Sequence, residues 1–146
     1  MEINSDKEGN WTDWQILTKD NEKPTRQIIE KGGKSGIVYQ IGLLQNDNPS
    51  SIPVGATPKD EQGIIYIGKQ TYSHRLNDHL KAFNYGGKYE KKSPAARRWR
   101  EYYVEKFGNN FRFRYKIVED AEAAEKETIK NYFKEFSRLP VLNCVV

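Results

Sequence analysis

From Phe111 to Val118 the chain alternates without a break, with Phe111, Phe113, Tyr115 and Ile117 falling on one side and Arg112, Arg114 and Lys116 on the other. Successive side chains of a strand point to opposite faces, so this pattern belongs to a half-buried antiparallel strand. Two other segments read as its companions. Ile37 to Leu44 and Ile64 to Ile67 are short apolar runs rich in branched and aromatic residues and flanked by Gly, as buried strands are. Between them, residues 45–62 are crowded with Asn, Asp, Pro, Ser and Gly, which breaks both helix and strand; the stretch reads as a long loop joining a hairpin.

The remaining segments carry helical spacing. Leu76, Leu80 and Phe83 lie on one stripe, with Ser73 or Thr71 placed to cap the first turn and Tyr85-Gly86-Gly87 to end it. A second helix is punctuated by Ser93 as N-cap, Pro94 at the first helical position and Gly108 as the stop, with Ala96, Trp99, Tyr103 and Phe107 along one face. A last helix starts at Asp120, runs through Ala124, Ile129, Tyr132, Phe133 and Phe136, and ends before Pro140. The expected class is α+β, a small antiparallel sheet of about three strands flanked by helices. Residues 1–35 read as an ordered arm whose Trp11, Trp14, Ile16 and Leu17 either pack on the domain or form an interface, and residues 36–146 as the domain proper.

The chain of 146 residues fits one ordinary domain of roughly 100 to 150 residues. Its formal charge of +4, from 24 basic and 20 acidic side chains, permits nucleic-acid binding without arguing for it. Cys144 is the single cysteine, so neither an intramolecular disulfide nor a cysteine-built zinc site can form, which fits a reducing interior. No apolar run suits a secretory signal or a bilayer span, and a cytoplasmic protein is expected, with no membrane partner.

Chemistry-bearing residues concentrate around the hairpin. Tyr66-Ile67-Gly68-Lys69 leads into a helix with Arg75 and His79 four residues apart and so on one face; alone, such a pair is most often just solvated. Tyr39 would stand beside Tyr66 if the two strands pair, and Glu125 and Asn143 follow downstream. Taken together, these residues resemble the GIY-YIG nuclease family. Val38-Tyr39 matches its first strand, Tyr66-Ile67-Gly68 with Lys69 its second, Arg75 and His79 its helical pair, Glu125 its metal-ligand helix, and Asn143 after Pro140 its closing motif, a coverage from about Gly36 to Asn143. Two departures stand out: Ile37 occupies the place of the family's first Gly, and the gap between Tyr39 and Tyr66 is unusually wide, which implies an insertion at 45–62.

The resemblance implies a Mg²⁺- or Mn²⁺-dependent DNA endonuclease with no organic cofactor, similar to stand-alone restriction-type or phage-borne members. In that reading Glu125 holds the metal, Arg75 grips the scissile phosphate, Tyr39 deprotonates water, Tyr66 positions water or phosphate, His79 assists or only packs its helix, and Asn143 fixes the nearby loop. Lys69 and Arg75 are expected to lower the phenols' pKa. Lys88, Lys91, Lys92, Arg97, Arg98 and Arg100 form the candidate DNA-backbone patch, with Arg112, Arg114 and Lys116 either extending it or facing water. The arm and insertion are candidates for base contacts or for a homodimer, which would account for paired cuts. Two alternatives remain: a non-catalytic nucleic-acid-binding domain of the same fold, or a protein-interaction module built on Trp11 and Trp14.

Overall fold

The computed structural model describes residues 10–20, 36–71 and 75–143. Its strands are β1 (Gln15–Ile16), β2 (Ile37–Gln45), β3 (Asn48–Pro49), β4 (Ile64–Gln70) and β5 (Asn110–Ile117). The helices are α1 (Arg75–Tyr85), α2 (Pro94–Tyr102), α3 (Val104–Phe107) and α4 (Ala121–Phe136), with 3-10 turns at Gly87–Lys92 and Val141–Asn143. All strand pairs are antiparallel: β2 lies between β5 and β4, β1 flanks β5, and β3 folds back onto the end of β2. The three expected strands are the three long ones, and two two-residue strands extend them.

Alternation sorts the sheet into two faces. Ile37, Tyr39, Ile41, Leu43, Phe111, Phe113 and Tyr115 pack with Leu76, Leu80, Phe83 and Trp99 of α1 and α2 in the larger core. Val38, Ile64, Ile67 and Val118 pack against Ala121, Tyr132 and Phe136 of α4 on the other face. Every residue of β2 from Ile37 to Leu44 is buried, which is why its sequence is a continuous apolar run while β5 alternates.

Caps hold the helices where these faces need them. Ser93 Oγ accepts the Ala96 N–H at 3.1 Å and Asp120 accepts the Ala123 N–H at 3.1 Å, both as expected. The first turn of α1 instead receives Gln70 Oε1, which accepts the Leu76 N–H at 2.9 Å from the end of β4; Ser73 lies outside the described residues. The single helix expected from Ser93 to Gly108 is broken at Tyr103, whose φ of −124° departs from helix while its ring stacks on Trp99 at 5.2 Å. Phe133, expected on the apolar stripe of α4, is 53% exposed, because the buried face of that helix runs through Ala121, Tyr132 and Phe136.

Residues 10–17 pack on the domain, the first of the two readings of this stretch: besides the β1–β5 pair, the Thr12 N–H donates to Tyr115 O and the Leu17 N–H to Phe111 O, both at 2.9 Å. The basic row of β5 is half-buried against the N-terminal tryptophans, and Arg114 and Lys116 also line a cleft of about 690 Å³ with Trp11, Asp60 and Asp120. Arg112 lies 4.1 Å from the Trp14 ring, Arg114 4.5 Å from Trp14 and 4.8 Å from Trp11, and Lys116 5.0 Å from Trp11, so indoles and cations interleave. Arg114 also donates to Gln40 Oε1 at 2.7 Å. The insertion is ordered as well. Asn46 and Asp47 take positive φ in the tight turn between β2 and β3, and buried Asp60 accepts the N–H groups of Gln62, Gly63 and Ile64 and the Tyr132 hydroxyl.

Candidate active site

The β2–β4 register sets Tyr39 opposite Gly68 and Ile41 opposite Tyr66. Period two then places both phenols on the face that α1 crosses, with ring centroids 6.3 Å apart. The insertion does not carry Tyr39 away, because it is accommodated beyond the paired segment, past the irregularity at Ile41/Gly42. Arg75 and His79, one turn apart on α1, enter the same place: the His79 ring lies 5.2 Å from Tyr66 and 5.9 Å from Tyr39. Tyr66, Arg75 and His79 line a cavity of about 360 Å³ with Pro94, Ala95, Arg98, Leu142 and Asn143. The start of α2 therefore adds the positive end of a helix dipole to the two guanidinium groups.

Gly68 makes room for the phenols. A Cβ there would lie 2.6 Å from Tyr39 Cζ and Oη and 2.8 Å from Tyr66. Gly68→Ala is expected to cost about 1 to 3 kcal/mol of stability, as overpacked cores do, and to displace Tyr66. Urea unfolding followed in parallel with the assays below checks this; wild-type stability and function would show that the contact relaxes freely.

Burial dominates the titration of the site. Tyr39 is 0% exposed, its hydroxyl has no hydrogen-bond partner among the described residues, and burial, reinforced by the neighbouring Tyr66, raises its pKa well above the usual phenol value against the opposing pull of Arg75. Tyr66 is also raised by burial, with Arg75 opposing through its charge and a hydrogen bond. Arg75 thus lowers both phenols as expected, but burial outweighs it. His79 is 0% exposed, and burial, with help from Arg75, lowers its pKa to about 3; the imidazole is neutral at pH 7.

A stability consequence follows for His79. Unfolded histidine titrates near 6.5 and the buried ring near 3, so the unfolded chain takes up the proton first and stability falls as pH drops from 6.5 toward 3. Denaturant titrations across that window are expected to show this loss in the wild type and a shallower one in His79→Gln. Equal slopes would mean that the ring does not resist protonation.

The other matched residues divide by role. Glu125, half-buried on α4, has its pKa raised by desolvation, with Lys69 and then Arg75 as the cations opposing the rise, and its charge raises both Tyr39 and Tyr66. Lys69 pairs across β2 with Val38, on the α4 side of the sheet, so Glu125 and Lys69 approach β4 from the face opposite Arg75 and His79. Asn143 is spent on structure. Its Oδ1 accepts the Ile67 N–H at 2.8 Å and its Nδ2 donates to Ile67 O at 2.9 Å, so its amide pairs with β4 as a neighbouring strand would.

A hard divalent cation would find one carboxylate here, that of Glu125. Among the described residues no three His, Cys, Asp or Glu side chains gather at one point. Mg²⁺ needs no such cluster, since it keeps several waters and takes one or two carboxylates besides substrate phosphate oxygens. Glu125 offers one carboxylate whose burial penalises its charge, a penalty that a bound cation would offset.

The basic patch splits into three parts. Lys88, Lys91 and Lys92 line a cleft of about 430 Å³ with Lys81, Asp78 and Tyr89, where Lys88 and Lys81 stand 5.4 and 5.5 Å from the Tyr89 ring. This cleft adjoins the site, because Arg75 donates to Lys92 O at 3.3 Å. Arg97 is exposed, whereas Arg98 lines the site cavity itself. Arg100 does not belong to the patch: it turns inward, pairs with Glu90 at 3.3 Å and donates to Phe83 O at 3.1 Å.

Scanned against models of known families the chain matches none, and no curated protein or solved structure is similar to it. Among the described residues no helix is long and apolar enough to cross a membrane. Sequence reasoning passed over Lys81 and treated Ser93 as punctuation alone. The spacing of Lys81, three residues after Asp78 and so on its face of the helix, could have suggested the first; nothing in the sequence signals that Ser93 meets His79.

Proposed function

We propose that the chain is a Mg²⁺-dependent DNA endonuclease of the GIY-YIG type. The observation that carries this reading is the meeting of two phenols, a guanidinium and an imidazole on one end of the β2–β4 pair, with a half-buried carboxylate within electrostatic reach. These groups come from β2, β4, α1 and α4, and packing needs alone do not call for so many polar side chains around one small cavity.

Hydrolysis of a phosphodiester builds negative charge on the phosphoryl oxygens and the leaving oxygen, so catalysis requires fixed positive charge there. Arg75, with Arg98 beside it, would grip the phosphate, its planar fork matching two oxygens. Tyr66 lines the cavity and Tyr39 does not, so the contact with water or phosphate passes to Tyr66, and Tyr39 backs it from the core. With its pKa raised, Tyr66 stays protonated at neutral pH and orients by hydrogen bonding. A divalent cation held at Glu125 would supply the charge that makes water acidic enough to attack.

The Lys81–Lys92 cleft on one side of Arg75 and Arg98 on the other would track the DNA backbone, giving affinity that falls with salt and carries no sequence preference. Incubating supercoiled plasmid with the protein in Mg²⁺ and in EDTA tests the reading. Mg²⁺-dependent nicking or linearisation is expected, and sequencing the ends would show whether cutting is site-specific. The interaction module built on Trp11 and Trp14 loses ground, since both rings are engaged by the cations of β5.

A further inference from the structure

His79 Nδ1 lies 2.8 Å from Ser93 Oγ, a contact between two residues of 0% exposure. The same Oγ accepts the Ala96 N–H at 3.1 Å as the N-cap of α2. Those two bonds leave two ways to place the shared proton. If Nδ1 carried it, then among the described residues Ser93 Oγ would accept twice, its own hydrogen would have no acceptor, and Nε2 would be a bare lone pair that is also buried without a partner. If Ser93 donates to Nδ1, the hydroxyl is satisfied as both acceptor and donor, and only the Nε2–H remains unpaired. Buried polar groups left without partners are costly, so the second arrangement is favoured.

We propose that Ser93 is a positioning residue of this site, which fixes His79 in the Nε2–H tautomer and so makes it a hydrogen-bond donor in the reaction rather than a base. The inference rests on the endonuclease reading for its catalytic consequence, but not for the tautomer itself. His79 lines the site cavity, and among the described residues neither its Nε2 nor the hydroxyl of Tyr39, in the ring cluster the two form with Tyr66, has a hydrogen-bond partner. A donor held there would serve an oxygen acceptor that reaches the cluster, such as a phosphate oxygen entering the cavity.

The test combines imidazole ¹⁵N NMR on protein labelled at histidine, with His79→Gln to assign the signals, and plasmid cleavage. Wild type is expected to show the Nε2–H pattern for His79 at neutral pH. Ser93→Ala is expected to populate the Nδ1–H form and to cut on the order of tenfold more slowly or worse, as when partners that orient a functional imidazole are removed. Ser93→Thr keeps a hydroxyl and an N-cap and is expected to retain both tautomer and rate. An Nδ1–H pattern in the wild type, or an unchanged tautomer in Ser93→Ala, overturns the proposal. If the alanine variant does not fold, the wild-type and threonine spectra still decide it. A wild type that cuts no DNA but shows a tautomer switched by Ser93→Ala removes the endonuclease reading and leaves the positioning role standing.

Discussion

Replacing Arg75 with alanine is expected to slow DNA cleavage by about 10²- to 10³-fold, the loss seen when one fixed donor to a developing oxyanion is removed. Affinity for the same DNA is expected to change little, because the Lys81, Lys88, Lys91 and Lys92 cleft and Arg98 continue to hold the backbone. Arg75→Lys keeps the charge but not the planar fork, and is expected to recover a small part of the rate. Single-turnover kinetics beside a direct binding assay separates the two quantities. Loss of affinity with an unchanged single-turnover rate would make Arg75 a phosphate anchor outside the chemistry. Removal of Arg75 also takes away its hydrogen bond to Tyr66, so part of the loss is expected to pass through the position of the phenol.

The second large effect belongs to Glu125. Glu125→Gln keeps the size of the side chain and removes its charge, so a hard divalent cation loses its one carboxylate in the site. Cleavage is expected to fall below detection, with DNA affinity retained or raised, since a negative charge has left a basic surface. Stability is expected to hold or improve slightly, because burial penalises the charged form of this carboxylate. Raising Mg²⁺ or substituting Mn²⁺ is expected to restore little. A fully active Glu125→Gln would remove the assignment of this residue to the metal.

Patterns of local origin were legible in the sequence. The unbroken alternation of β5, the apolar runs of β2 and β4, and the N-caps Ser93 and Asp120 each follow from a few neighbouring residues, and each element formed where its pattern lies. The pairing of β2 with β4 was legible because a hairpin is the simplest way to join two adjacent antiparallel strands, whatever loop connects them. That pairing brought Tyr39, Tyr66, Arg75 and His79 together.

What was not legible depends on contacts between distant residues. The cations of β5 lie against Trp11 and Trp14 because β1 pairs with β5, and no local pattern announces that. Arg100 reads like its neighbours Arg97 and Arg98, yet the positions of Glu90 and of the Phe83 carbonyl turn it inward. Tyr39 and Tyr66 look equivalent as residues. Their difference arises because Tyr39 is on the central strand and Tyr66 on a strand at the sheet's outer edge, so only the second lines the cavity. Asn143 reads as a residue that fixes the nearby loop, and its amide does hold β4 at Ile67, a partner that no local pattern names.

The most direct test of the account is plasmid cleavage by the wild type and Glu125→Gln side by side, in Mg²⁺ and in EDTA, with binding to the same DNA measured in parallel. The account predicts cutting by the wild type in Mg²⁺ alone, no cutting by the variant, and binding by both. Equal cutting by the two proteins, or cutting that survives EDTA, would contradict it.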